Sequence, residues 1–283
     1  MEIIKASGEK EKYQSGKVVR SLKRAGVSSA AAEKVEKEIG KEIKPGDTTE
    51  ELFERVREKL VKQDIAAAAR YSLRKAIMDL GPAGFYFERY IARVLEKYGY
   101  KTRIGRMVKG KCVIHEIDIV AEAPDVRPPS SHAYLIEAKY HNRRGVKSDI
   151  KDVMYMHSRS LDISEGENKE YKAWLITNTK FTTKAQRYGK CRNLVITGWR
   201  YSNPPVIPSG AMSLERLIED KGLYPTTIFP AVSRGTRLAL SEHNVYFAYE
   251  LAGKDARELV KKFGVKKQDA EKIEKQAAAL FKL

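Results

Sequence analysis

The sequence predicts a mixed α/β protein with a mostly helical N-terminal part, a central sheet flanked by helices, and a helical C-terminal region. Three observations predict it. Apolar residues recur at helical spacing through the first 80 residues. Short apolar runs separated by turn signals fill the middle. The Pro-rich stretch "SNPPVIPSG" at 202–210 then precedes a return to helical periodicity. With 283 residues and 42% hydrophobic content, the chain is long enough for two domains and an appendix, and can furnish ordinary cores. The expected divisions are 1–81, 82–205 and 206–283.

"EIIKA" opens as a short strand. Helices follow at about 15–25, 28–41 after "VSS", 48–62 after the cap signal "DTTEE", and 63–79. Leu52, Phe53, Val56, Leu60 and Val61 give the third of these one apolar face. "GP" breaks the fourth, and Phe85, Tyr86, Tyr90, Ile91, Val94 and Leu95 begin a fresh amphipathic helix. Past "KYGY" the pattern changes to the strands "KTRIGRMV", "CVIHEIDIVAE" and "AYLIEAKY", with "APDVRPPSSH" as the loop between the last two. A helix at about 147–160, the strand "AWLITN", a helix at about 182–191 capped by Thr182 and Thr183, and the strand "NLVITGW" complete the middle. No internal repeat and no long low-complexity tract is evident.

Lys and Arg number 54 against 37 Asp and Glu, a net charge of +17. Such an excess calls for a polyanionic partner, and DNA leads. A membrane is excluded as partner by the lack of a long uncharged apolar run, and "MEIIKASGEK" has no signal-peptide core, so a soluble, cytoplasmic protein is expected. Cys112 and Cys191 lie far apart with neither C-x-x-C nor a histidine pair nearby. Neither a disulfide framework nor a thiolate zinc site follows, and both are expected as small buried hydrophobes.

The chemistry concentrates in "HEIDIVAEAPDVRPPSSHAYLIEAKY". Alternate residues of a strand share a face, so Glu116 and Asp118 point one way and Ile117 and Ile119 the other; Glu137 and Lys139 share a face with Leu135. If the two strands are neighbours, Asp118 and Glu137 converge on a common cation. Clustered carboxylates repel and are costly to desolvate unless a cation or protons compensate. An all-oxygen donor set suits Mg²⁺ or Mn²⁺. Lys139 beside it is placed to hold an attacking water or to stabilise charge on a phosphate, which is phosphodiester hydrolysis chemistry. Glu116 lies on the site face, whereas His115 faces away and is expected to be structural.

Asp118, an 18-residue gap and then "EAK" resemble the PD-(D/E)xK nuclease superfamily. With "GFYFERYIARVLEKYGY", "EIDIVAE" and "LITNTKFTTKAQRYG", residues 82–200 resemble the Mrr-type restriction endonuclease domain. The resemblance implies a restriction-endonuclease-like mixed central sheet and a Mg²⁺-dependent (or Mn²⁺-dependent) DNA endonuclease. By it Glu88 corresponds to the helical acid, Asp118 and Glu137 to the metal ligands with the Ala138 carbonyl completing the shell, and Lys139 to the catalytic lysine. Many Mrr-type members carry Gln where Glu137 stands, so the chain follows the wider superfamily there. A structure-specific repair nuclease or junction resolvase, and a non-catalytic DNA-binding protein on the same fold, are the alternatives. A homodimer is compatible with cutting two strands from one site per chain.

Arg143, Arg144 and Lys147 after the lysine, and Arg106 and Lys109 before the first acid, are candidates to pair with DNA phosphates. Residues 1–80 resemble the ATP-cone: Lys5 in "EIIKASGEKEKY" and Lys17 in "YQSGKVVRSLKRAGV" match its phosphate-binding lysines, and "AAAARYSLRKA" its closing helix. The arginine that follows the first lysine in that family is absent here. ATP or dATP is the effector so implied; a helical interaction or dimerisation module is the alternative. Without G-x-x-x-x-G-K-[ST], ATP hydrolysis is not expected. "KKFGVKKQDAEKIEKQAAALF" resembles the second half of a helix-hairpin-helix, against a plain terminal helix pair.

Overall fold

Helical periodicity in the first 80 residues produces four helices with their own core. In the computed structural model, which describes residues 1–5, 8–81, 84–124, 133–143, 145–203 and 213–281, these are α1 (Ser15–Arg24), α2 (Ser29–Glu42), α3 (Thr49–Gln63) and α4 (Ile65–Met78). Ser28 caps α2, and Thr48 with Glu51 forms a capping box on α3, satisfying backbone N–H groups that a helix start leaves unpaired. Leu22, Val35, Ile39, Val56 and Leu60 pack together inside. Ahead of them β1 (Glu2–Ile4) pairs antiparallel with β2 (Lys10–Lys12). Sequence reading misses β2 because its "KEK" has no apolar position to mark a face.

The middle of the chain folds as α5 (Phe85–Lys97), β3 (Lys101–Lys109), β4 (Ile114–Glu122), β5 (Ala133–Lys139), β6 (Lys147–Ser148), α6 (Ile150–Glu167), β7 (Tyr171–Thr177), β8 (Lys180–Phe181), α7 (Thr183–Cys191), β9 (Val195–Gly198) and β10 (Tyr201–Asn203). Six of the strands form one mixed sheet in the order β10-β9-β7-β5-β4-β3. The β3, β4 and β5 strands run antiparallel in turn, while β5, β7 and β9 are parallel. The mixed α/β class expected from the sequence is the one observed. One face, with Ile136, Trp174 and Ile176, packs against α5 and the C-terminal helices. The other, with Leu135, Leu175 and Ile196, is covered by α6 and α7. No helix among the described residues is long and apolar enough to cross a membrane.

Helix α6 starts later and runs further than its periodicity suggests. Lys147 and Ser148 are extended and pair with β8, and the Asp149 N–H then donates to the Asp152 carboxylate at 3.0 Å as the helix begins. At its far end α6 meets the turn between β3 and β4. A Cβ on Gly166 would stand 2.3 Å from the Gly110 carbonyl carbon, and one on Gly110 1.9 Å from the Asp162 carboxylate. Both positions therefore require glycine for close approach. Asp162 also accepts from the Cys112 N–H at 2.9 Å and contacts His115 Nε2 at 2.7 Å. His115 is thus structural, as expected. The cysteines differ from expectation: both are exposed, Cys112 in this surface turn and Cys191 in the last turn of α7.

The C-terminal region consists of α8 (Leu214–Asp220), a 3-10 turn at Thr226–Ile228, α9 (Arg234–Glu242), a second at Ala248–Leu251, α10 (Ala256–Phe263) and α11 (Lys267–Phe281). It contains a repeat of shape that sequence comparison within the chain does not reveal. Helices α8 and α9 are each followed by a left-handed residue, Gly222 (φ 61°) and Asn244 (φ 56°), then a 3-10 turn. The two copies bond to each other, Thr226 N–H to the Tyr246 carbonyl and Ala248 N–H to the Tyr224 carbonyl. Gly and Asn fill equivalent places because both tolerate positive φ, each followed by an aliphatic residue and a tyrosine, Leu223–Tyr224 and Val245–Tyr246.

Apolar contact is continuous from Leu73 of α4 through Phe87 and Tyr90 to Leu259 and Ile273. The last turn of α4 is held from three sides. Thr227 donates to the Ala76 carbonyl at 2.7 Å, Tyr140 to that of Met78, and Arg237 to that of Asp79. These satisfy carbonyls that a helix end leaves free.

Candidate active site

The site forms where two antiparallel strands part. Pairing of β4 with β5 begins at Ile119 opposite Ile136 and runs to Glu122 opposite Ala133. Asp118 and Glu137 come next in that register but are outside the ladder. Instead the Ala138 N–H donates to Asp118 Oδ2 at 2.8 Å. Strand alternation is interrupted here. Ile117 packs with Leu135 on the α6 side and Ile119 with Ile136 on the α5 side, so the two isoleucines do not share a face as expected. An acid that takes a backbone donor at the parting of two strands breaks the pleat that the simple period of two assumes.

Glu88 reaches the same place from the first turn of α5. Burial, then the charges of Asp118, Glu137 and Glu116, push its carboxyl up to about 7. Burial and Glu137 likewise raise Asp118 to about 6. Half-buried carboxylates that raise one another in this way are poised either to share protons or to take up a cation. Glu116 is the exposed member of the group.

Helix α6 supplies two counter-charges. Arg159 donates to Glu137 at 2.7 Å, and Asp152 lies 3.3 Å from the Lys139 ammonium. Arg159 is only 6% exposed. Sequence reasoning missed both residues. The available signal was an arginine on the buried stripe of α6, beside Val153, Met156 and Ile163, because a charge on an apolar stripe requires a partner.

The charges of Asp118 and Glu137 thus reach Glu88, the Ala138 N–H of β5 bonds Asp118, and the Lys139 side chain is turned to Asp152. Beyond it His141 is clamped: its N–H donates to Asn178 Oδ1 at 2.9 Å, and Asn178 Nδ2 donates back to its carbonyl at 2.8 Å. Arg143 and Lys147 are exposed after this clamp, Arg106 and Lys109 are exposed on β3, and Arg144 lies outside the described residues. Thr182 caps α7, accepting from the Ala185 N–H at 3.2 Å. In the N-terminal part Lys5 lies 3.8 Å from Glu11, and Lys17 bonds the same carboxylate.

Among the described residues no three His, Cys, Asp or Glu side chains stand close enough to hold a metal ion as they are. The donor chemistry nevertheless fits a hard divalent cation: two carboxylates facing each other across the strands, one of them raised by burial and repulsion, beside a backbone peptide. Arg159 provides part of the compensating charge on Glu137.

Comparison with known proteins bears on these residues. Residues 1–79 match the model of the ATP cone domain, and residues 82–197 that of a restriction endonuclease. An uncharacterized protein of Archaeoglobus fulgidus is 38% identical over 138 residues, which cover 49% of this chain and 70% of that protein. The crystal structure of AF1548, a protein of unknown function, matches with a TM-score of 0.57 at 29% identity, covering 71% of this chain and 100% of that one.

Proposed function

Because the chain belongs to the restriction endonuclease family and carries an ATP cone domain ahead of the nuclease domain, we propose that it is a divalent-metal-dependent DNA endonuclease that responds to ATP or dATP. The observation that carries the reading is the convergence of Glu88, Asp118 and Glu137 where β4 and β5 part.

Asp118, Glu137 and the Ala138 carbonyl would hold Mg²⁺ or Mn²⁺, which when bound polarises the phosphate and makes water a better nucleophile. Lys139, exchanging Asp152 for substrate, stabilises negative charge on the attacked phosphate. Glu88 holds or releases a proton near neutral pH at the edge of the site. Arg159 orients Glu137 through its short ion pair. Arg106, Lys109, Arg143, Arg144 and Lys147 pair with backbone phosphates, positioning DNA without naming a base. Two copies, each with one site, would cut both strands of a duplex.

Incubation with plasmid, with and without Mg²⁺, tests the reading. Wild-type protein is expected to cleave with Mg²⁺ and not in EDTA, and Asp118→Ala and Lys139→Ala to bind DNA without cutting. Cleavage by either variant at the wild-type rate removes the assignment. Faster cleavage of branched DNA than of linear duplex would select a structure-specific nuclease or junction resolvase. DNA binding with no product under any metal would leave a non-catalytic binder.

Nucleotide regulation is proposed to act through Lys5 and Lys17, and requires that nucleotide bind two states of the protein unequally. Equilibrium dialysis with labelled ATP and dATP tests it. Retention by wild type and its loss in Lys17→Ala are expected; no retention at millimolar nucleotide removes the regulatory claim.

A further inference from the structure

A cavity of about 210 Å³ lies where the N-terminal helices, the sheet and α8 meet. Arg24 of α1, Arg70, Arg74 and Lys75 of α4, and Arg200 between β9 and β10 line it, against only two carboxylates, Glu215 and Glu219 of α8. Arg200 is engaged by Glu215 through two bonds of 2.6 Å, Lys75 by Glu50 at 2.7 Å and Asp79 at 3.4 Å, and Arg70 by the Ala25 carbonyl at 2.6 Å and Asp64 at 3.9 Å. Arg24 is exposed and forms no ion pair among the described residues. Burial and the neighbouring Glu215 raise the carboxyl of Glu219. Five cationic side chains thus line the cavity.

Trp199 also lines it. Its side chain is 1% exposed, and its indole N–H has no acceptor among the described residues. A buried donor without an acceptor is uncommon and calls for a partner. An anion held among the arginines would supply one.

We propose that this cavity binds a small phosphate-bearing anion, at a site separate from Lys5 and Lys17. Arginines recognise phosphate oxygens through paired donors, which makes phosphate the favoured anion. Walls from three parts of the chain admit a short polyphosphate but not the bulk of a DNA duplex.

The two places share a wall. Ser21, Phe53 and Tyr71 line both this cavity and the one bounded by Glu11 and Lys17. The Phe53 and Tyr71 rings stack at 5.0 Å with an interplanar angle of 14°. A ligand in the arginine cavity therefore bears on one side of a rigid aromatic partition, and on α4 and α8 at once.

Isothermal titration of the full chain with inorganic tripolyphosphate tests the site, independently of any nuclease activity. Arg24→Glu, an exposed change that leaves the fold intact by circular dichroism, is expected to weaken binding roughly tenfold or more. Trp199→Phe, which keeps an aromatic ring of smaller size and removes the donor, should weaken it by a smaller factor, and Lys17→Glu should leave it unchanged. In the Lys17→Glu protein, displacement of tripolyphosphate by ATP identifies nucleotide as the source of the phosphate, and failure to displace identifies free polyphosphate. Wild-type affinity in Arg24→Glu, or loss of binding in Lys17→Glu alone, overturns the proposal.

Discussion

Arg159 and Glu137 form an ion pair of 2.7 Å that links the buried side of α6 to the strand carrying the proposed metal ligand. Removing one member of such a pair leaves the other charge without compensation, which costs more than the pair itself contributes. Because Glu137 keeps 23% of its side chain exposed, the expected cost of Arg159→Met is about 2 kcal/mol, below the range for fully buried pairs. Adding Glu137→Gln should recover part of the loss. Urea denaturation of the two single variants and the double variant measures both effects.

Gly166→Ala is expected to destabilise the protein although it replaces glycine inside a helix. Helix propensity alone favours alanine by about 1 kcal/mol. The new methyl would meet the Gly110 backbone at 2.3 Å, and forced overpacking costs about 1–3 kcal/mol. Backbone cannot swing aside as a side chain can, so the clash wins. A lowered midpoint in thermal unfolding checks the sign.

Divalent metal should stabilise the wild-type protein and not Asp118→Asn. Millimolar Mn²⁺ is expected to raise the melting temperature by roughly 5 °C, as binding to the folded state alone requires. In EDTA the variant should melt no lower than wild type, because it loses the repulsion among Glu88, Asp118 and Glu137 while its amide oxygen still accepts from Ala138. An equal Mn²⁺ shift in both proteins would place the ion elsewhere.

Acid should loosen the turn between β3 and β4. The His115 hydrogen bond and the Cys112 N–H hold the Asp162 carboxyl down at about 2. A folded-state value below the ordinary one of 3.8 means that the contribution is complete above about pH 4 and is lost as pH falls through about 2. The stability difference between wild type and Asp162→Asn is therefore expected to shrink across a series from about pH 4 down to about 2. Denaturation midpoints across that series measure it.

Asp118 and Glu137 stood out in the sequence as polar interruptions of two short apolar runs, and the strands that carry them are neighbours in the sheet. Capped helices such as α3 were legible for the same local reason, since Thr48 and Glu51 lie three residues apart. What escaped depends on distant packing. Arg159 finds Glu137 only because α6 lies across the sheet, and the turn of Ile117 away from the face of Ile119 follows from how β5 leaves β4. Cys112 was misjudged because composition favours burial for cysteine, whereas its place in a surface turn is set by Asp162, fifty residues further on. The repeat of α8 and α9 escaped because it rests on a few positions, Ile218, Leu223 and Tyr224 against Leu240, Val245 and Tyr246, too few to mark a period.

Strand β3 forms the outer border of the sheet, with Lys101, Arg103, Arg106 and Lys109 along its nine residues. Among the described residues, Arg103 is the one of these four in an ion pair, with Glu122 on β4. Two copies aligned border to border would bring these like charges near one another, so such zippering is disfavoured. If this protein works in pairs, the partner must approach from another side, and the unpaired backbone of this border is left facing whatever polyanion comes to it.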